Sequence, residues 1–271
     1  MTHRLLGAKQ QPADRSSVLP VEISVQPTDE TCGPTSLHAV YRYWGLDCRL
    51  EDVIESVWAL SRPETGRGTL AVVLGIDALR RGMKATLYTF NLTLFDPTWF
   101  GADGSAPGEL LEHKLVAQAA EKGKTNAKFQ AATRSYLDFA RLGGRIRLED
   151  PTTELLVEHM RSGRPVLTGL SATYLYRACR EYGPNDDPDD VRGVPQGHFV
   201  VLHGYDPATR SVHVADPLAD NPPFSTRNYM VPMSRIIPSI MLGVLTYDAN
   251  LLVLEPPTDG PDARPAEEQE P

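Results

Sequence analysis

The chain has 271 residues, of which 41% are hydrophobic, 7% aromatic and 23% charged, a balance that excludes collagen-like, coiled-coil and wholly disordered chains. Its formal charge is -8, but six acids and one arginine between Glu255 and Pro271 contribute -5 of it, leaving -3 on everything before them. A near-neutral body excludes a nucleic-acid binder that works by neutralising phosphate.

Residues 1–20 are polar and unpatterned, and read as a flexible arm. Val21 to Val25 reads as a short strand. From Pro34, the apolar residues Leu37, Val40, Tyr41 and Trp44 recur at helical spacing until Gly45 closes the helix. Arg49 to Leu60 and about Thr69 to Arg81 are the next helices, and Ala85 to Phe90 is a strand. Helices Glu109 to Lys122 and Asn126 to Leu142 follow, broken at Gly123 and stopped by Gly143-Gly144. Thr153 to Ser162 is another.

Character then changes. Pro165 to Leu170, His198 to Tyr205, Ser211 to Ala215 and Leu251 to Glu255 are β-branched, apolar runs bounded by Gly, Pro and Asp. Helices first and antiparallel strands later indicate an α+β fold. We expect one domain over residues 21–255, with a helical insertion at about 91–145. The Pro-rich acidic tail, 256–271, is expected to be disordered. No stretch reaches 18 apolar residues and the first twenty hold no secretory run, so no membrane span and a cytoplasmic location are expected.

Three cysteines, Cys32, Cys48 and Cys179, contain no CxxC, which argues against a disulfide scaffold or a Cys-rich zinc site. Cys32 stands where the loop from Pro27 to Thr31 enters the first helix. There its thiol meets free backbone N–H groups and the positive end of the helix dipole, which favour the thiolate that attacks acyl carbon. Cys48 and Cys179 have no such setting and read as small buried hydrophobes. Six residues before Cys32, Gln26 could donate its side-chain amide to an oxyanion beside the Cys32 N–H.

His198 opens the strand GHFVVLHGYD, and a turn after Asp206 leads into SVHVADP. The resulting hairpin returns Asp216 to the His198 end, where it can orient the ring. His198, His203, His213 and Asp216 are close in sequence, but His198 and His203 face opposite sides of one strand. Neither a metal nor a cofactor is expected. Asp186, Asp187, Asp189 and Asp190 crowd the segment 183–197 just before His198, which reads as a mobile, solvated loop able to act as an acidic lid.

Gln26, TCGPTSL around Cys32, GHFVVLHGYD and VADP together resemble the papain-like cysteine peptidases of the double-glycine, bacteriocin-leader-processing type. The likeness extends to the Gly68-Thr69 helix entry, the Gly163-Arg-Pro-Val strand entry and the terminal strand. It implies a bacterial protein with a papain-like fold, in which a helical N-terminal half packs on an antiparallel sheet from the C-terminal half. It also implies Cys32 as nucleophile, His198 as base, Asp216 as its orienter and Gln26 in the oxyanion hole. No ATP-binding-cassette sequence accompanies these motifs, so a stand-alone member is expected. Its partner would be a peptide or amide-containing substrate, cleaved through a thioester on Cys32. Alternatives are an acyltransferase or amidohydrolase using the same chemistry on a small molecule, or a non-catalytic binding module on this fold.

Overall fold

The computed structural model describes residues 17–65, 68–123, 126–219, 221, 223–246 and 249–257. In chain order it runs β1 (Ser17–Val18), α1 (Cys32–Tyr43), α2 (Leu50–Leu60), α3 (Ala71–Arg80) and β2 (Lys84–Thr89). Next come α4 (Gly108–Lys122), α5 (Ala127–Arg141), β3 (Arg145–Arg147), α6 (Thr153–Arg161), β4 (Val166–Ser171) and α7 (Ala172–Tyr176). The chain continues through β5 (Glu181–Tyr182), β6 (Asp187–Pro188), β7 (Gly197–Asp206), β8 (Ser211–Ala215), β9 (Asn228–Pro232), α8 (Met233–Leu242) and β10 (Asn250–Glu255). The large sheet has the order β3-β2-β10-β4-β7-β8-β9, with β1 also paired to β7. Every pairing in it is antiparallel except β2 with β3. This is the expected α+β architecture.

Period-two alternation divides the core. Leu167, Phe199, Val201, Ala215 and Leu252 face one layer, where α1, α2, α3, α4 and α5 pack. Val166, Val200, Leu202, Val214 and Val253 face the other, covered by α6, α7 and α8. Strands buried on both faces read as continuous apolar runs, as β4, β7 and β10 do.

The predicted strand over Val21–Val25 does not form. Val21 and Ile23 are buried and Val25 is exposed, so the alternation is real, but the segment pairs with no strand and is extended coil. The pairing falls earlier: Ser17 and Val18 lie opposite Tyr205 and Gly204, so the arm expected to reach residue 20 is tied down from residue 17. The rest of that arm, and the tail from 258, lie outside the described residues. The helix α8 is missed by the sequence reading because Pro232 stands just before it and Pro238 lies within it, although Met233, Ile236 and Ile240 bury one face at helical spacing.

The helical segment predicted as an insertion shares its core with α1 and α3, through Phe129, Tyr136 and Phe139 of α5. A Cβ at Gly75 of α3 would lie 2.6 Å from Phe139 Cε2, and Phe139 is fully buried. Gly75→Ala should therefore destabilise the protein by about 1–3 kcal/mol in urea unfolding, overpacking outweighing the gain in helix propensity. A stabilised variant would mean that the α3–α5 contact is looser than this.

Candidate active site

The site forms at one end of β7, where the two layers meet. Cys32 is the first residue of α1, so its N–H has no intrahelical acceptor. The loop before it is folded on itself: the Thr28 N–H donates to Thr31 Oγ1 at 3.0 Å, and Thr31 Oγ1 donates back to the Thr28 carbonyl at 2.8 Å. Two neighbours seat the helix start on β7. Ser36 Oγ donates to the Phe199 carbonyl at 3.2 Å. A Cβ at Gly33 would already stand 3.3 Å from the Phe199 ring, so glycine is what permits this close approach.

His198 and Asp216 come from the β7–β8 hairpin. Val201 pairs with Ala215, which sets Val200 opposite Asp216 and leaves His198 diagonal to it on the same face. His198 Nε2 donates to Asp216 Oδ1 at 2.8 Å. The ring's remaining nitrogen, Nδ1, is the one left to face Cys32, which lies near enough to favour the charged ring. Burial disfavours the charged ring, but the Asp216 carboxylate and then Cys32 outweigh it, so His198 is held protonated well above its ordinary 6.5. Burial likewise opposes the Asp216 charge, and the His198 ring with two phenols overcomes it, holding Asp216 below its ordinary 3.8.

Asp216 is completely buried and accepts five hydrogen bonds. Beside His198, the Leu218 N–H reaches Oδ1 at 2.9 Å. The hydroxyls of Tyr176 and Tyr229 reach Oδ2 at 2.6 Å each, and Asn221 Nδ2 reaches it at 2.8 Å. Sequence reasoning missed these last three. The only signal was two polar aromatics inside apolar runs, and nothing local connects them to Asp216.

Gln26 does not end a strand, but the structure brings it to the site by another route. Its N–H donates to the Pro217 carbonyl at 2.9 Å, one residue past Asp216. Its Nε2 donates to the Thr28 carbonyl at 3.1 Å, which leaves one amide hydrogen uncommitted. Gln26, Cys32 and His198 line one cavity of about 1360 Å³, together with Tyr176 and Phe199.

Two further expectations change. Cys179, read as a small buried hydrophobe, is exposed and lines this same cavity. The acidic segment is built as a hairpin, with Glu181 and Tyr182 paired to Pro188 and Asp187. Asp189 turns inward onto the Val191 and Arg192 N–H groups and the Arg192 guanidinium. Of its four aspartates, Asp186 alone lines the cavity. His203 lies apart from Asp216, with Nδ1 on the Leu19 carbonyl at 2.9 Å. Among the described residues no three His, Cys, Asp or Glu side chains converge as a metal site, and no helix is long and apolar enough to cross a membrane.

Chemically, a thiol at a helix start, an imidazole against it and an ionised carboxylate behind the ring can pass a proton from sulfur to nitrogen and hold the resulting charge pair. Residues 111–233 match the model described as Peptidase_C39 like family; the span holds His198 and Asp216 and leaves out Gln26 and Cys32. A comparison with curated proteins gave no match. Among solved structures the chain is similar to one titled a C39-like peptidase from Bacillus anthracis, at 16% identity and TM-score 0.48, over 89% of this chain and 98% of that one. Xylellain, a cysteine protease from Xylella fastidiosa, aligns at 14% identity and TM-score 0.44, over 89% and 85%. A double glycine motif protease from an AMS/PCAT transporter, solved with its leader peptide, aligns at 14% and 0.39, over 90% and 99%.

Proposed function

We propose that this C39-like, cysteine peptidase-like hydrolase cleaves a peptide or amide bond through a thioester on Cys32. The observation that supports the reading is the His198–Asp216 hydrogen bond of 2.8 Å, with His198 and the helix-leading Cys32 lining one substrate-sized cavity.

In this reading the proton of the Cys32 thiol already rests on His198, and the thiolate attacks the scissile carbonyl carbon. The oxygen of the tetrahedral intermediate gains negative charge, and the Cys32 N–H with the Gln26 amide donates to it. Collapse breaks the C–N bond, and protonated His198 gives its proton to the leaving amine. Water, deprotonated by the same ring, then attacks the thioester, and collapse releases the acid and restores the thiolate with its protonated ring. Asp216 never takes the proton; it holds the ring's orientation and stabilises the imidazolium.

Intact-mass measurement after mixing with peptide and amide libraries tests this directly. An acyl adduct that maps to Cys32 and decays in water supports hydrolysis. An adduct that survives in water but clears on adding an amine or alcohol would move the reading to acyl transfer. No adduct from any library, with Cys32 alkylating no faster than a free thiol, would sink it. Gln26→Ala separates the oxyanion site from the relay: turnover should fall by about 10²–10³ with KM nearly unchanged, the usual loss of one donor. An unchanged kcat would remove Gln26 from the site.

A further inference from the structure

The three groups that converge on Asp216 Oδ2 have no part in the proton relay, yet they come from three separate stretches of chain. Tyr176 ends α7, Asn221 lies in the connection after β8, and Tyr229 is in β9. A buried carboxylate needs donors, but one or two satisfy an oxygen, and here three meet at one atom. Phe224 binds the arrangement together. Its ring stacks on Tyr229 with centroids 3.8 Å apart and planes 5° from parallel, and meets Tyr176 edge-on at 6.3 Å.

We propose that Tyr176, Tyr229 and Asn221 are positioning residues for the relay: they pin Asp216 by Oδ2 so that Oδ1 is presented to His198 and the carboxylate cannot rotate away. This rests on the roles given above to His198 and Asp216. With all three donors gone, rotation about the carboxylate bond would be free to break the 2.8 Å contact to the ring; with one hydroxyl removed, the other two donors still hold Oδ2 and the contact stands. Burial, then the Asp216 charge, pushes both phenols well above the usual tyrosine range, so they remain protonated donors throughout neutral pH. The titratable groups facing Asp216 are then His198 from β7, Tyr176 from α7 and Tyr229 from β9, with the Cys32 thiol of α1 beyond His198.

The pin has an electrostatic consequence of definite sign. Each O–H points its positive end at Asp216 and so draws off part of the charge that holds the imidazolium. Removing a hydroxyl leaves more of that charge for His198, which should then lose its proton at higher pH. Tyr176 also lines the cavity, so its ring and its hydroxyl can be separated: Tyr176→Phe keeps the wall, whereas Tyr176→Ala removes it.

The test is the pH profile of Cys32 alkylation by iodoacetamide, followed by mass spectrometry on the Cys32 peptide, in Tyr176→Phe, Tyr229→Phe and Asn221→Ala. The alkaline inflection should move up by about half a pH unit or more in each Phe variant, the scale of losing part of one charge-assisted hydrogen bond. The Nε2–H proton resonance of His198 should shift in the same variants. On a cleaved substrate, Tyr176→Phe should lower kcat about tenfold with KM unchanged, while Tyr176→Ala raises KM as well. Profiles and resonances that coincide with the parent, with only the melting temperature lowered, would reduce the three residues to structural support and overturn the proposal. A parent-like profile in His198→Ala would instead remove the base itself, a failure of the underlying reading that this variant identifies separately.

Discussion

Cys32→Ala should fold normally and lose turnover by a factor on the order of 10⁵–10⁶, the scale seen when the nucleophile of a relay that acts as a unit is removed. The fold should survive because Cys32 contributes little more than a small side chain at the start of α1, whose next nine residues are all buried by other contacts. The same residue should be the first thiol to react with iodoacetamide. Cys48 is half-buried and burial pushes its thiol up, so little of it is thiolate at neutral pH. Cys179 is exposed and will label, but only Cys32 starts a helix beside the positive charge of His198. Peptide-resolved labelling near neutral pH should therefore show Cys32 ahead of Cys179, with Cys48 last. Turnover retained in Cys32→Ala would end the thioester mechanism; equal labelling of all three would end the special status of this thiol.

Asp216→Ala should cost both activity and stability. Removing this one carboxylate leaves five donors without their acceptor at a site with no exposure to solvent. Breaking a buried charged pair by deleting one partner costs about 3–5 kcal/mol, enough to lower the unfolding midpoint clearly in urea. The pH dependence gives an independent check. Asp216 is held below its ordinary 3.8, so its contribution is complete above that pH and is lost as pH falls through the lower folded value. His198 is held above its ordinary 6.5, so its contribution is complete below 6.5 and is lost as pH rises through the higher folded value. The pair thus stabilises the protein fully between 3.8 and 6.5. Melting temperature against pH should fall off on both sides of that window in the parent, and both slopes should flatten in Asp216→Ala. Parallel curves for the two proteins would show that the pair is not coupled to folding.

Much of this was legible before any coordinates, for a common reason. The start of α1 at Cys32, the stop at Gly45 with φ +79° and the β7–β8 hairpin all follow from interactions a few residues apart. A Gly in the left-handed region, a free helix N-terminus and a short turn between two apolar runs leave their marks in adjacent positions. For the same reason the order of Gln26, Cys32, His198 and Asp216 could be matched to one chemistry. The alternation of β7 also told in advance that His198 and Phe199 face opposite ways, and Phe199 does lie under Gly33 while His198 meets Asp216.

What the tertiary structure decided is whatever needs a partner far along the chain. Val21 to Val25 alternates correctly and still forms no strand, because alternation reports which side chains are buried and not whether a neighbouring backbone is free to pair. Gln26 reaches the site through a backbone bond to Pro217, across 191 positions of sequence. Tyr176 and Tyr229 stand 40 residues before and 13 after Asp216, and their convergence depends on how α7 and β9 pack around the end of the sheet. A buried carboxylate must find its donors wherever packing delivers them, and no periodicity in the chain encodes which they will be.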